Sequence, residues 1–195
     1  MTKIISALIG FVLMLPSLSN ATLIIPSTVS ATGSYSNSEN LINDGFIPTE
    51  RTAWTASSNV YWNGTVTTFM LDFGQLYNVN DVLVSVDNND YLTVDWSIDL
   101  SSWSNLFNIN SSYGEVTWGM DTLSTDNLNS EYVSNIDFSS VQARYLRIKA
   151  TGGDNSYAIG EFQAFGSKVS SVPEPSTLTI FALGVIGLAS RRLKK

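Results

Sequence analysis

Leu92-Thr93-Val94-Asp95-Trp96-Ser97-Ile98 places an apolar side chain at every second position and a polar one between each pair. A period of two is that of an extended strand, whose successive side chains leave on opposite faces, so the stretch predicts a strand with one buried face. Outward from it, Val82, Val84 and Val86 repeat the pattern, as do Leu146, Ile148 and Ala150 around Arg147 and Lys149. Residues 67–73, 114–118, 132–138 and 159–165 are further strand candidates, separated by segments rich in Asn, Asp, Ser and Gly. No window carries convincing apolar spacing at i, i+3, i+4 and i+7, so helices are not expected. Roughly eight short strands between polar turns imply an all-β fold, an antiparallel β-sandwich. No internal repeat is visible, which argues against propellers and solenoids.

Composition narrows the function. The chain of 195 residues has a formal net charge of −7, but residues 22–171 hold 5 Lys/Arg against 16 Asp/Glu, a balance of −11. Such a surface repels nucleic acid and anionic lipid and suits cations or neutral partners such as sugars. The sequence contains no Cys, so no disulfide stabilises it. It contains no His either, which removes the usual Ser/His/Asp and Cys/His triads and His-ligated zinc.

The two ends read as signals. Lys3, an apolar run over residues 4–15 and Ser19-Asn20-Ala21 follow the order of a secretory signal peptide, so residues 1–21 are expected to be removed and the mature chain to begin near Thr22. At the other end, Pro173-Glu174-Pro175 precedes an apolar run of 12 residues, 178–189, and then Arg191, Arg192, Lys194 and Lys195. The cations should stay on the cytoplasmic side of a bilayer. Twelve apolar residues fall short of the ~20 of a comfortable span, which favours temporary residence in the inner membrane as a short transmembrane helix. The three elements together resemble the PEP-CTERM sorting signal, covering residues 172–195, whose implied partner is an exosortase-type processing enzyme. The domain between the signals, 22–171, is long enough for one core.

Glu39-Asn40-Leu41-Ile42-Asn43-Asp44-Gly45 with Thr52-Ala53-Trp54, and later Ala143-Arg144-Tyr145-Leu146-Arg147-Ile148 and Ile159-Gly160-Glu161-Phe162-Gln163-Ala164-Phe165-Gly166, resemble the entry loop and last two strands of discoidin-type domains, the coagulation-factor C-type or galactose-binding-like family. Leu71-Asp72-Phe73-Gly74-Gln75, Ser97-Ile98-Asp99 and Trp103 fall between them in the family's order. The resemblance implies a jelly-roll β-sandwich. It also implies a structural calcium ion where the entry loop meets the last strand, an arrangement that suits calcium's demand for six to eight oxygens. Its ligands here would be carboxylates of Asp44 and Glu161, carbonyls of Leu41 and Phe46, and a hydroxyl of Thr49 or Thr52. The alternative is a plain turn at Asp44-Gly45 and a solvated Glu161.

Two loops are candidates for ligand binding. Asp87-Asn88-Asn89-Asp90-Tyr91 offers four polar side chains and a ring on which a sugar could stack, although Asn and Asp also dominate ordinary turns. Tyr61-Trp62-Asn63-Gly64 would present two aromatics if Asn63-Gly64 is a hairpin turn, or else Trp62 folds back on the core. A hydrolase built on paired carboxylates has no specific support among so many acids, and no enzymatic activity is expected. The expectation is an exported, surface-sorted protein that binds exopolysaccharide or another matrix component through its loops. The alternative is a structural or adhesion protein of the matrix without a sugar site, and a glycosidase comes third.

Overall fold

Strand β4, Thr68–Asp87, ties the molecule together. The computed structural model describes residues 21–169, so almost all of the expected signal peptide and all of the sorting tail lie outside the described residues. The remaining strands are β1 Thr22–Ile24, β2 Thr28–Thr32, β3 Val60–Asn63, β5 Tyr91–Ser97, β6 Ser104–Ile109, β7 Met120–Ser124, β8 Val141–Gly152 and β9 Ser156–Lys168. Two short 3-10 turns, Glu39–Asn43 and Ser134–Ile136, complete the elements, and the described residues include no α-helix.

Every pairing between these strands is antiparallel. The first part of β4 pairs with β2 and β8, and β8 continues to β5 and β6. The later part pairs with β7 and β9, and β9 also carries β1 and β3. One strand thus serves both layers of the sandwich. Its register with β8 breaks between Asp72 and Tyr77, and over Tyr77–Val79 it pairs with both β8 and β9 before continuing with β9 alone of the two. Gly74 sits in that break at φ +75, a left-handed conformation that glycine adopts without a Cβ clash. Its N–H donates to Asp72 Oδ1 at 2.7 Å, and Arg144 holds the same carboxylate through Nε at 2.9 Å and a second nitrogen at 3.1 Å. The Arg144 guanidinium holds the Asp72 carboxyl below its ordinary pKa.

The core lies between the layers and draws on both: Phe69, Leu71, Leu146 and Ile148 from one, Val82, Val84, Val86 and Phe162 from the other, all fully buried. At one end an aromatic cluster fills it, with the Trp62 ring 5.0 Å from Phe69 and 5.6 Å from Tyr157. On the outer side of the β5–β8 pair, Asp95 stands opposite Arg147 and accepts its guanidinium at 2.9 Å, with Lys149 at 3.5 Å. Trp103 lies over the Arg147 guanidinium at 4.1 Å, a cation–π contact that covers the ion pair. A charge in the middle of β5 is therefore paired with two cations of β8.

Two expected strands are absent. Residues 114–118 form a loop, because the buried Asp121 carboxylate accepts the backbone N–H groups of Glu115 at 2.9 Å and Val116 at 3.3 Å in place of a neighbouring strand. Within 132–138 the backbone tightens into the Ser134–Ile136 turn, which buries Ile136.

Candidate functional site

The loops at one end of the sandwich are fastened to each other by hydrogen bonds. The turn after β3 meets the turn between β8 and β9, where Asn63 Nδ2 and Gly64 N both donate to Asn155 O, at 2.9 and 3.3 Å. That β8–β9 turn meets the turn between β4 and β5: Asn89 Nδ2 donates to Asp154 Oδ2 at 2.9 Å, and Asp154 N donates to Asp90 Oδ1 at 3.3 Å. The β4–β5 turn in turn joins the loop of residues 110–119, through Asn88 N to Gly119 O at 3.0 Å and Asn88 Nδ2 to Val116 O. Met120 N to Thr52 O, at 2.9 Å, brings in the entry loop. Both ends of the described chain lie at the opposite end, where Thr22 pairs with Gly166.

The outer surface of this loop end is aromatic. Trp54 and Tyr61, both half-buried, pack edge to face with ring centres 5.3 Å apart. Trp118 is 56% exposed and Tyr91 43% exposed.

Beneath lies a group of acids. Asp87, Asn88 and Asp90 are almost wholly buried. Burial, reinforced by the negative charges around it, pushes the Asp87 carboxyl up to about 6 and that of Asp90 up to about 7. Asp90 feels both Asp87 and Asp154. Asn88 Oδ1 and Asp90 Oδ2 are enclosed without a hydrogen-bond partner.

The entry loop meets β9 at Glu161, as the family resemblance implied. Glu161 is fully buried; its Oε2 accepts the Gly45 N–H at 3.2 Å, and its Oε1 has no partner. Burial raises its carboxyl to about 7, and the nearby Asp44 carboxylate adds to the rise. Asn43 anchors the loop by donating to Phe162 O at 2.7 Å, while Asp44 Oδ1 caps the turn by accepting Phe46 N at 2.9 Å. The hydroxyls of Thr49 and Thr52 are 3.1 Å apart on the same loop. Ser85, opposite Glu161 in the β4–β9 register, has an enclosed hydroxyl that is likewise without a partner. An orphaned buried carboxylate oxygen near the Asp44 carboxylate is the start of a donor set suited to a hard cation, and Thr49 and Thr52 offer hydroxyls on the same loop.

The structure revises several expectations for site residues. Trp62 is 2% exposed and belongs to the core, because its ring completes the cluster with Phe69 and Tyr157; it cannot receive a ligand from solvent. Asp87, Asn88 and Asp90 point inward rather than forming an open polar loop, since the 110–119 and β8–β9 turns close over them. Tyr61, Asn89 and Tyr91 remain at the surface. Leu41, Asp44, Phe46, Thr49 and Thr52 share the entry loop, with Glu161 meeting it at Gly45. Trp54 and Trp118 also stand at the surface of this end, and the sequence reading did not single them out as candidate contacts; for Trp118, its place beside the turn glycine Gly119 was the available signal. Glu50, Glu115 and Glu131 were also missed, and their carboxylate oxygens gather within 4.8 Å of one another from three separate loops.

With this geometry in place, the comparisons define the fold class. The structure resembles the family 32 carbohydrate-binding module of AlyQ, solved in complex with 4,5-unsaturated mannuronic acid, at a TM-score of 0.52 and 18% identity over 74% of this chain and 98% of that one. It resembles a fucose-binding module of Streptococcus pneumoniae at 0.54 and 13%, over 75% and 96%. The lectin domain of lectinolysin, complexed with Lewis B antigen, gives 0.51 and 14%, over 72% and 92%. The fold is thus that of discoidin-like, family 32 carbohydrate-binding modules. Residues 171–194 match the PEP-CTERM protein-sorting motif, which marks an exported protein anchored through its C-terminus before processing. No curated protein matches the chain in sequence.

Proposed function

We propose that this protein is a non-catalytic carbohydrate-binding protein of the cell surface or extracellular matrix, carried there by its sorting tail. The observation that carries the reading is the Trp54–Tyr61 pair, half-exposed at the end of the sandwich remote from the Thr22–Gly166 pair. Aromatic rings cover the apolar faces of sugars, and the exposed Asn63, two residues after Tyr61 on β3, has an amide oxygen left to accept a sugar hydroxyl. The fold likeness supports the same reading, because the similar modules above were solved with, or named for, sugars. A polysaccharide of the cell's own matrix is the ligand class that fits a sorted surface protein with an acidic domain.

Calcium has a structural part in this proposal. Glu161 and Asp44, the carbonyls of Leu41 and Phe46 and the hydroxyl of Thr49 or Thr52 would hold the ion. It would supply positive charge to an otherwise unpaired buried carboxylate and clamp the entry loop, which carries Trp54, to β9. Glycan-array binding by the wild-type chain, lost in Trp54→Ala and weakened in Tyr61→Ala, is the expected result. No binding by the wild type to any glycan would favour a structural matrix protein instead.

A further inference from the structure

We infer that Glu50, Glu115 and Glu131, with the hydroxyl of Thr122 beneath them, form a calcium-class cation site separate from Glu161. This goes beyond the reading above, which assigns one ion to Glu161 and the entry loop and gives these three glutamates no part.

Strand β7 gathers the three carboxylates. One oxygen from each lies within 4.8 Å of the others, although Glu50 belongs to the entry loop, Glu115 to the loop of residues 110–119 and Glu131 to the loop after β7. Each loop is fastened to β7 beside its glutamate. Arg51 N donates to Met120 O at 2.8 Å, Glu115 N donates to Asp121 Oδ2 at 2.9 Å, and Ser124 N donates to Glu131 O at 2.7 Å. The three backbones are thus fixed around one five-residue strand, so the fold itself builds the grouping.

Thr122, at the middle of that strand, supplies the second observation. Its neighbour Leu123 belongs to the core, and successive side chains of a strand leave on opposite faces, so Thr122 points away from the core toward these loops. It is 7% exposed, and among the described residues its hydroxyl has no hydrogen-bond partner. Two cavities share it as a wall: one of about 260 Å³ also lined by Glu115 and Glu131, the other of about 390 Å³ also lined by Glu50 and Glu131. A buried hydroxyl is ordinarily hydrogen-bonded. One that faces cavities between three carboxylates is instead a further oxygen ligand, and the cavities leave room for the waters that complete a shell of six to eight.

No side chain neutralises the group. Among the described residues the ion pairs join Arg144 to Asp72 and Arg147 and Lys149 to Asp95, none of them at these glutamates. The Ser130 hydroxyl donates to Glu131 Oε1 at 3.0 Å, and no other hydrogen bond reaches the three carboxylates from the described residues. Carboxylate and hydroxyl oxygens without a nitrogen or sulfur ligand select a hard divalent ion, and ligands from three loops suit calcium's flexible shell better than magnesium's strict octahedron. The ion ties the entry loop, which carries Trp54, to the loop that carries Trp118.

Calorimetric titration of calcium into the chelator-stripped full chain tests the site, and the Glu161→Gln background separates it from the entry-loop ion. One ion per chain is expected for Glu161→Gln. Adding Glu50→Gln, Glu115→Gln and Glu131→Gln together should abolish it, while adding only Thr122→Val, which keeps the side chain's shape, should weaken it at least about ten-fold. Melting in chelator no lower than that of the parent chain would show that these variants lose ligation and not the fold. In the wild-type background the three Gln substitutions should lower the ion count by one. A single ion in wild type that Glu161→Gln leaves in place supports this site and removes the entry-loop one. A single ion that only Glu161→Gln abolishes overturns this site, as does an ion count or affinity unchanged by the three Gln substitutions in both backgrounds.

Discussion

Asp87, Asp90 and Glu161 are the residues on which the chemistry of the loop end turns, because each is a carboxyl group withdrawn from water. Their folded-state values, about 6, about 7 and about 7, lie above the ordinary carboxylate range. Between about pH 4 and 7 the folded chain therefore binds more protons than the unfolded one, and stability falls as pH rises through that window. In chelator, the protein should melt several degrees higher at about pH 5 than at about pH 7.5. Asp90→Asn should flatten that slope. A chelated protein that gains stability over the same range would contradict these assignments. Trp62 belongs to the same scale with the opposite character: Trp62→Ala should cost about 3–5 kcal/mol in denaturant unfolding, as a fully packed core ring does. Tyr91→Ala, at an exposed ring, should stay within about 0.5 kcal/mol. Equal costs for the two would mean that the ring environments have been misassigned.

At the scale of elements, the loop of residues 110–119 is fastened on one side by Asn88, as described above, and on the other by Asp121. Asp121, fully buried at the start of β7, accepts Glu115 N and Val116 N through one oxygen and Thr122 N at 2.9 Å through the other. Asp121→Ala leaves three donors unpaired and should destabilise by about 1–3 kcal/mol or more. Amide hydrogen exchange at Glu115 and Val116 should rise along with it, and unchanged protection there would show that the loop is held some other way. The same element shows why some strands could be read from the sequence and others could not. Strands β5, β8 and β9 carry alternation strong enough to read, and Glu161 was expected beside the entry loop through family likeness. In β7 every residue is buried, so no alternation exists to read. Strand β2 is short and rich in Thr and Ser, and β3 spans only four residues. Residues 67–73 and 82–86 read as two strands because the break at Gly74 hides that they are one. Trp62 misled for a related reason: the chain bends at Gly64 without making a hairpin, since β3 pairs with β9, and β3 alternates with Val60 and Trp62 inside.

At the scale of the whole molecule, the chain leaves the sandwich beside β1, at the end away from Trp54, Tyr61, Trp118 and Tyr91. A tail held in a membrane would thus point the binding loops outward, and an acidic domain would be kept off an anionic bilayer surface. Intact-mass analysis of surface material should show a chain that starts near Thr22 and lacks Arg191, Arg192, Lys194 and Lys195. A mature chain that retains all four would replace sorting with simple anchorage. The central claim, that the loop end binds carbohydrate, is tested most directly by following the five tryptophan indole N–H signals during titration with matrix polysaccharide. The account predicts shifts at Trp54 and Trp118 with Trp62, Trp96 and Trp103 unmoved; shifts confined to Trp103, which covers the Arg147–Asp95 pair on the outer side of β5 and β8, would contradict it.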